Sequence, residues 1–237
     1  MNKILITGAS SAIGNKLISE IDRKNLIILA HYNKSKNFLD FLKSKKFKSK
    51  IIPIKCDFSK KNDLAIFLKK ISKYEVNSIV HIASKRLNIK RFENINQNDF
   101  YNEFKLSFNS IFEILKISIP KMMKKKKGKI IFILSNVTTK KLPSAYLTSY
   151  VCLKFLLLGL IKSLSSEYKN SGINFSSISP SMIDTPFLKN LDRKFIEMNR
   201  FYNSKKKLLS INRLTKKIKY LLLDKSNNLN GQNIELD

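Results

Sequence analysis

Lys3-Ile4-Leu5-Ile6-Thr7-Gly8-Ala9-Ser10-Ser11-Ala12-Ile13-Gly14 is a short run of branched apolar residues that passes directly into a turn of small ones. Lys3–Thr7 reads as a buried strand, and the apolar spacing beyond Gly14 reads as a helix. Small residues at such a turn let the backbone approach a pyrophosphate, and the helix N-terminus behind it favours negative charge. Ser10 and Ser11 add hydroxyls that can donate to phosphate oxygens. The same residues also suit an ordinary tight strand-to-helix turn, so the stretch speaks for the fold before it speaks for a ligand.

The rhythm then repeats. Leu26–Ala30, Ile51–Cys56, Ser78–Ile82, Lys129–Leu134 and Asn174–Ser179 read as strands, and Ile234–Leu236 as a short last one. Apolar residues at helical spacing, such as Leu64, Phe67, Leu68 and Ile71, lie between them. This alternation predicts an α/β fold, a doubly wound parallel sheet with helices on both faces and its ligand crevice at the carboxyl ends of the strands. No repeat, linker or composition break divides the 237 residues, so a single domain over 1–237 is expected. The longest apolar stretch, Phe155–Ile161, is far shorter than the ~20 residues that cross a bilayer, which argues against membrane insertion. Ile4, Leu5 and Ile6 are too short a run for a secretory signal. Cys56 and Cys152 are too few for a disulfide scaffold and lack metal-ligand spacing, so a reducing cytoplasm and no metal are expected.

The formal net charge of +29 raises nucleic acid as a partner, yet only six of the 46 basic residues are Arg. Readers of nucleic acid rely on the bidentate guanidinium. Here lysines are spread over almost every segment, Asn and Ile are abundant, and the charge reads as drift on solvated faces. Lys124–Lys127, the densest run, suits a helix C-terminus.

Two features carry chemistry. Tyr150 and Lys154 are four apart and share a helix face, where an ammonium favours phenolate and suits the phenol for proton transfer at a carbonyl or alcohol. Tyr146 has no Lys at the same step. Ser135 ends a strand fifteen positions before Tyr150, at the carboxyl edge of the sheet, placed to polarise a substrate oxygen.

In this order the Gly-rich turn, Ser135 and Tyr150-x-x-x-Lys154 resemble the short-chain dehydrogenase/reductase family over essentially the whole chain. Gly128-Lys129-Ile130-Ile131 opening the fifth strand is similar to its bacterial 3-oxoacyl-(acyl-carrier-protein) reductase branch. Ser179-Pro180-Ser181-Met182-Ile183-Asp184-Thr185 resembles the family's Pro-Gly-x-x-x-Thr loop, and Asn230-Gly231-Gln232 before the last strand is typical. The resemblance implies an oxidoreductase passing a hydride between a nicotinamide cofactor and a carbonyl or alcohol. Ser135, Tyr150 and Lys154 would be catalytic. Gly8, Ser10, Ser11, Ile13, Gly14, Asp57, Ala83, Tyr150, Lys154, Pro180, Ile183 and Thr185 would hold the cofactor. Lys154 would also lower the Tyr150 pKa. The stretch after Thr185, about 186–207, with Phe187, Leu188, Phe195, Met198 and Phe201, would form a substrate lid. The apolar helices bearing Leu106–Ile119 and Leu153–Leu160 would pair about a two-fold axis in a homodimer or homotetramer.

The departures are specific. Ala12 replaces the middle glycine, His81-Ile82-Ala83-Ser84 replaces Asn-Asn-Ala-Gly, Ser181 replaces a glycine, and Ser107 stands where the family's helix Asn is expected. These leave a catalytically weak dinucleotide-binding relative, or a polyanion binder on the same scaffold, as the rival readings. At the end of the second strand His31-Tyr32-Asn33-Lys34-Ser35 contains no acid to accept from a ribose 2′-hydroxyl. His31, Asn33 and Lys34 are therefore expected to favour NADP(H), with NAD(H) as second choice.

Overall fold

The computed structural model describes residues 2–237 other than Ser144, Lys189, Asn190, 202–205, Lys225 and Asn227, and omits the side chain of Phe187. Its core is a seven-stranded sheet of β1 (Asn2–Thr7), β2 (Leu26–Tyr32), β3 (Lys50–Lys55), β4 (Ser78–His81), β5 (Gly128–Ile133), β6 (Ile173–Pro180) and β7 (Asn233–Leu236), ordered β3-β2-β1-β4-β5-β6-β7. Every pairing is parallel. The seven expected strands all form. β2 runs past Ala30 because His31 and Tyr32 continue the ladder against Ile54 and Lys55. β4 ends one residue earlier than expected, at His81, although the Ile82 amide still donates to the Thr7 carbonyl at 3.2 Å.

Both faces of the sheet are covered, as near-continuous apolar strands require. On one face α1 (Ala12–Ile21), α2 (Lys36–Ser44) and α8 (Ile211–Leu223) bring Leu17, Ile18, Phe38, Leu214 and Ile218 onto Ile6, Ile28 and Val80. On the other, α3 (Lys61–Ile71), α5 (Ser110–Lys124) and α6 (Thr148–Glu167) bring Phe67, Ile111, Ile114, Leu157 and Ile161 onto Leu5, Ile79 and Phe132. Each such fully buried side chain contributes about 1.5–3 kcal/mol. Ser11, Ser35 and Ser210 start α1, α2 and α8 with side-chain N-caps. α4 (Gln97–Phe104) continues into α5 through a π-turn at Lys105–Asn109, and α7 (Arg193–Phe201) lies beyond β6.

α6, a 20-residue helix, is long and apolar enough to cross a bilayer by length and composition alone. Leu153, Lys154, Leu157, Leu158 and Ile161 are nevertheless buried in the fold, while Phe155 and Leu156 stay exposed. The strand order reverses beside β1, which has β2 on one side and β4 on the other. A crevice therefore opens at the carboxyl ends of these strands, where α1 begins.

Candidate active site

The turn after β1 needs its glycines. Gly8 has φ +68°, and a Cβ there would stand 2.9 Å from the Ala83 amide nitrogen. A Cβ on Gly14 would lie 2.4 Å from the Ala9 carbonyl oxygen, so the helix can pack this closely on the turn only with glycine. The Ser11 hydroxyl accepts from the Gly14 amide at 3.0 Å and caps α1. Ser10, Ser11, Ala12 and Ile13 line the cleft. Ala12 is accommodated there in place of the middle glycine.

Two histidines brace this turn. The His31 ring accepts from the Gly8 amide at Nδ1 (3.1 Å) and donates from Nε2 to the Cys56 carbonyl (3.1 Å), a tautomer assigned from these partners. It stacks on Phe58 at 3.8 Å, and burial pushes its pKa down to about 4. His81 accepts at Nδ1 from the Thr7 hydroxyl (2.8 Å) and donates from Nε2 to the Ser107 carbonyl (2.9 Å). Burial lowers its pKa to about 3. Thr7 Oγ1 in turn accepts from the Ile82 and Ala83 amides at 3.2 and 3.3 Å. His31 is thus a buried strut with both nitrogens engaged, and the expectation that it meets the cofactor is corrected.

The other expected contacts at this end divide. The Asp57 carboxylate accepts from the Ser59 amide (3.1 Å) and hydroxyl (2.6 Å), with the Asn33 side chain nearby. The Ser59 hydroxyl is the main cause of the lowered Asp57 pKa. Lys34 is exposed, and Ser35, Asn37 and Phe38 line the cleft instead. At the far end Pro180, Ile183 and Thr185 line it, and the Thr185 hydroxyl donates to the Ile183 carbonyl at 3.4 Å.

Ser135, Tyr150 and Lys154 converge on the same cleft. Burial raises the Tyr150 pKa, and the neighbouring Ser135 hydroxyl works against that rise. The Lys154 ammonium lies 5.4 Å from the Tyr150 ring centroid and donates to the Ile133 carbonyl at 2.9 Å. Burial pushes its pKa down to about 8. Tyr146 is half exposed and outside the cleft.

The loop carrying Ser135 is held by residues that the sequence reading did not single out. The Thr138 hydroxyl donates to the Ser135 carbonyl (2.9 Å) and lies 2.8 Å from the Ser179 hydroxyl. Ser179 donates to Asn233 Oδ1 (2.7 Å), and Asn233 Nδ2 reaches Thr138 Oγ1 (3.3 Å). The one visible signal was the placing of Ser177, Ser179 and Asn233 in otherwise apolar strands.

In the stretch expected to form a lid, Leu188 is buried, Phe195 and Asn199 on α7 line the cleft, and Met198 and Phe201 are exposed. Lys189, Asn190 and 202–205 lie outside the described residues. The stretch rejoins the fold where Ile183 bridges Leu209.

The cleft encloses about 680 Å³, within the ~300–1,000 Å³ of small-molecule sites. No Asp or Glu lines it, a helix starts at its edge, and its turn tolerates only glycine at Gly8 and Gly14. These features fit a nicotinamide dinucleotide: the Ser10–Ile13 turn for its diphosphate, Ser35 and Asn37 for its adenosine end, and Thr185 near its nicotinamide end.

The 3-oxoacyl-(acyl-carrier-protein) reductase of Buchnera aphidicola subsp. Baizongia pistaciae is 27% identical over 235 residues, 98% of this chain and 94% of that one. L-sorbose reductase from Gluconobacter frateurii, solved with NADPH and L-sorbose, superposes with a TM-score of 0.87 at 17% identity, covering 100% of this chain and 95% of that one. 4-Hydroxyisoleucine dehydrogenase, solved with NADH, gives 0.87 at 22% identity over 100% and 97%. The sequence profile of the short chain dehydrogenases matches residues 2–195. With that match spanning most of the chain, and the strand order and cleft already described, the protein belongs to the short-chain dehydrogenase family of oxidoreductases.

Proposed function

We propose that the protein is an NADPH-dependent reductase of a small carbonyl compound, with Ser135, Tyr150 and Lys154 as its catalytic residues. The observation that carries this reading is their convergence: Ser135, Tyr150 and a buried Lys154 beside the Tyr150 ring all line one cleft. When bound, the cofactor supplies a hydride, two electrons and one proton's worth of hydrogen, to the carbonyl carbon. Tyr150 supplies the balancing proton to the carbonyl oxygen, and solvent restores it. Ser135 donates to the same oxygen and orients it. Lys154, pushed down to about 8 by burial, can exchange protons near neutral pH and would hold the cofactor ribose. α7 with Phe195 closes the substrate side of the cleft and excludes water.

Preference for NADPH is supported by the absence of acid in His31-Tyr32-Asn33-Lys34-Ser35 and by Ser35 and Asn37 on the cleft wall. Lys34 adds charge within this segment, acting on a 2′-phosphate as a point charge. Two unpaired cysteines, Cys56 buried and Cys152 exposed, accord with a cytoplasmic enzyme. Fluorescence titration with both reduced cofactors is expected to show tighter NADPH binding, with Lys34→Glu shifting preference toward NADH. Tyr150→Phe is expected to lower turnover about 10²-fold or more while cofactor binding barely changes. Tighter NADH binding by the unmodified protein would overturn the cofactor preference. Full activity of Tyr150→Phe would overturn the mechanism.

A further inference from the structure

Arg86 stands apart from the other cations of its segment. Lys85 and Lys90 both pair with Asp99, at 3.7 and 3.8 Å, and Arg91 pairs with Glu93 at 3.8 Å. The acids of the segment are thus engaged, and among the described residues Arg86 has no ion pair. The buried Glu103, pushed up by burial, feels Lys85 rather than Arg86.

The position of Arg86 is equally specific. It lines the main cleft, and together with Ser84, Tyr150 and Lys154 it also lines the small recess that opens beside the reacting end. Ser35, Asn37 and the Ser10–Ile13 turn line the main cleft but not this recess. Arg86, exposed to solvent, therefore stands at the rim that the main cleft shares with the recess beside Tyr150 and Lys154. Leu147, Met182, Leu188 and Phe195 provide apolar lining, and no carboxylate lines the main cleft, while the recess is also lined by Lys85 and the buried Glu103.

We propose that Arg86 is the substrate-recognition residue of this cleft and that the substrate is an oxo acid, a carbonyl compound carrying a carboxylate. The guanidinium fork matches a carboxylate bidentately. Of the two cations lining the main cleft, Lys154 is buried and donates to the Ile133 carbonyl, so Arg86 is the one placed to meet a substrate anion. The proposal rests on the reductase reading above. The reduction converts an oxo acid and NADPH, with one proton, to a hydroxy acid and NADP⁺.

The test uses the full chain, NADPH, and short-chain 2-oxo and 3-oxo acids, each beside its ethyl ester. The acid is expected to exceed its ester in kcat/KM by about tenfold or more. Arg86→Gln is expected to erase that preference mainly through KM, with the ester rate and NADPH affinity unchanged, and Arg86→Lys to restore part of it. Equal rates for acid and ester, equal effects of Arg86→Gln on both, or a matching loss of NADPH affinity would each overturn the proposal. If no compound turns over, hydroxy acids and their amides are titrated onto the NADP⁺-loaded protein. Carboxylate-dependent binding lost in Arg86→Gln supports the proposal, and its absence overturns it. Failure to bind either reduced cofactor would count against the reductase reading, a result distinguishable from NADPH binding without carboxylate discrimination. A phosphorylated ketose preferred over its unphosphorylated form would assign Arg86 to a phosphate instead and overturn the oxo-acid claim.

Discussion

Acidification should destabilise this protein through His31 and His81 well before its carboxylates titrate. Both rings are held neutral, with pKa values of about 4 and about 3 against an ordinary 6.5. A histidine depressed in the folded state contributes stability that is complete above 6.5 and is lost as pH falls toward the folded pKa, because the unfolded chain binds the proton first. Over that window each ring costs about 1.4 kcal/mol per pH unit. From pH 7 to pH 5 each costs about 2 kcal/mol, and the pair about 4 kcal/mol, a large part of the ~5–15 kcal/mol of a typical domain. Glu103, raised by burial, works in the opposite direction as pH falls toward its unfolded value. Lys154, lowered to about 8, contributes stability that is lost between 10.5 and 8, so it is silent below pH 7. Urea unfolding at constant ionic strength, at pH 7, 6 and 5, measures the slope. His31→Asn should remove about half of it. A loss below about 1 kcal/mol between pH 7 and 5, or an unchanged slope in His31→Asn, would refute the neutral-strut account.

Three further outcomes are expected. Gly14→Ala drives a methyl to 2.4 Å from the Ala9 carbonyl and should destabilise by about 3 kcal/mol and abolish NADPH binding, read by thermal unfolding and cofactor fluorescence. Thr138→Val removes the hydroxyl that holds the Ser135 carbonyl; kcat should fall with NADPH affinity retained, and Thr138→Ser should restore it, whereas equal loss in both variants would sink the positioning role. Phe112, Phe155 and Leu156, 39–44% exposed on α5 and α6, should be covered by a second copy of the chain, so light scattering at micromolar concentration should give at least twice the monomer mass.

The strands were legible because a parallel sheet covered on both faces demands nearly continuous apolar runs, and Ile4–Ile6, Ile28–Ala30 and Ile130–Leu134 are such runs. Tyr150 and Lys154 were legible because a four-residue step fixes their shared helix face. His31 was misjudged because position along the chain was weighed above strand parity. It shares a face with Leu29 and packs against Phe58 and Phe67, whereas Ala30 and Tyr32 face the side where Phe38 borders the cleft. The Ser107 carbonyl bonded to His81 depends on a π-turn, and no propensity in Lys105–Asn109 announces an i→i+5 turn. Arg86 was hidden among many basic residues, since only the ion pairs of its neighbours single it out.

The hydrogen bonds that seat Ser135 bear on the order in which the protein becomes competent. The turn for the diphosphate is braced by Thr7, His31, His81 and Ala83, all at or before position 83 of 237. The Ser135 loop, by contrast, is tied through Thr138 to Asn233, 95 positions later and on the edge strand of the sheet. Contacts so distant form late, after closure of the intervening loop. During synthesis the diphosphate turn can take its final shape while β7 is still on the ribosome, but the serine cannot. A partly made or misfolded chain therefore stays catalytically silent, and recovery of turnover after refolding should trail recovery of sheet structure.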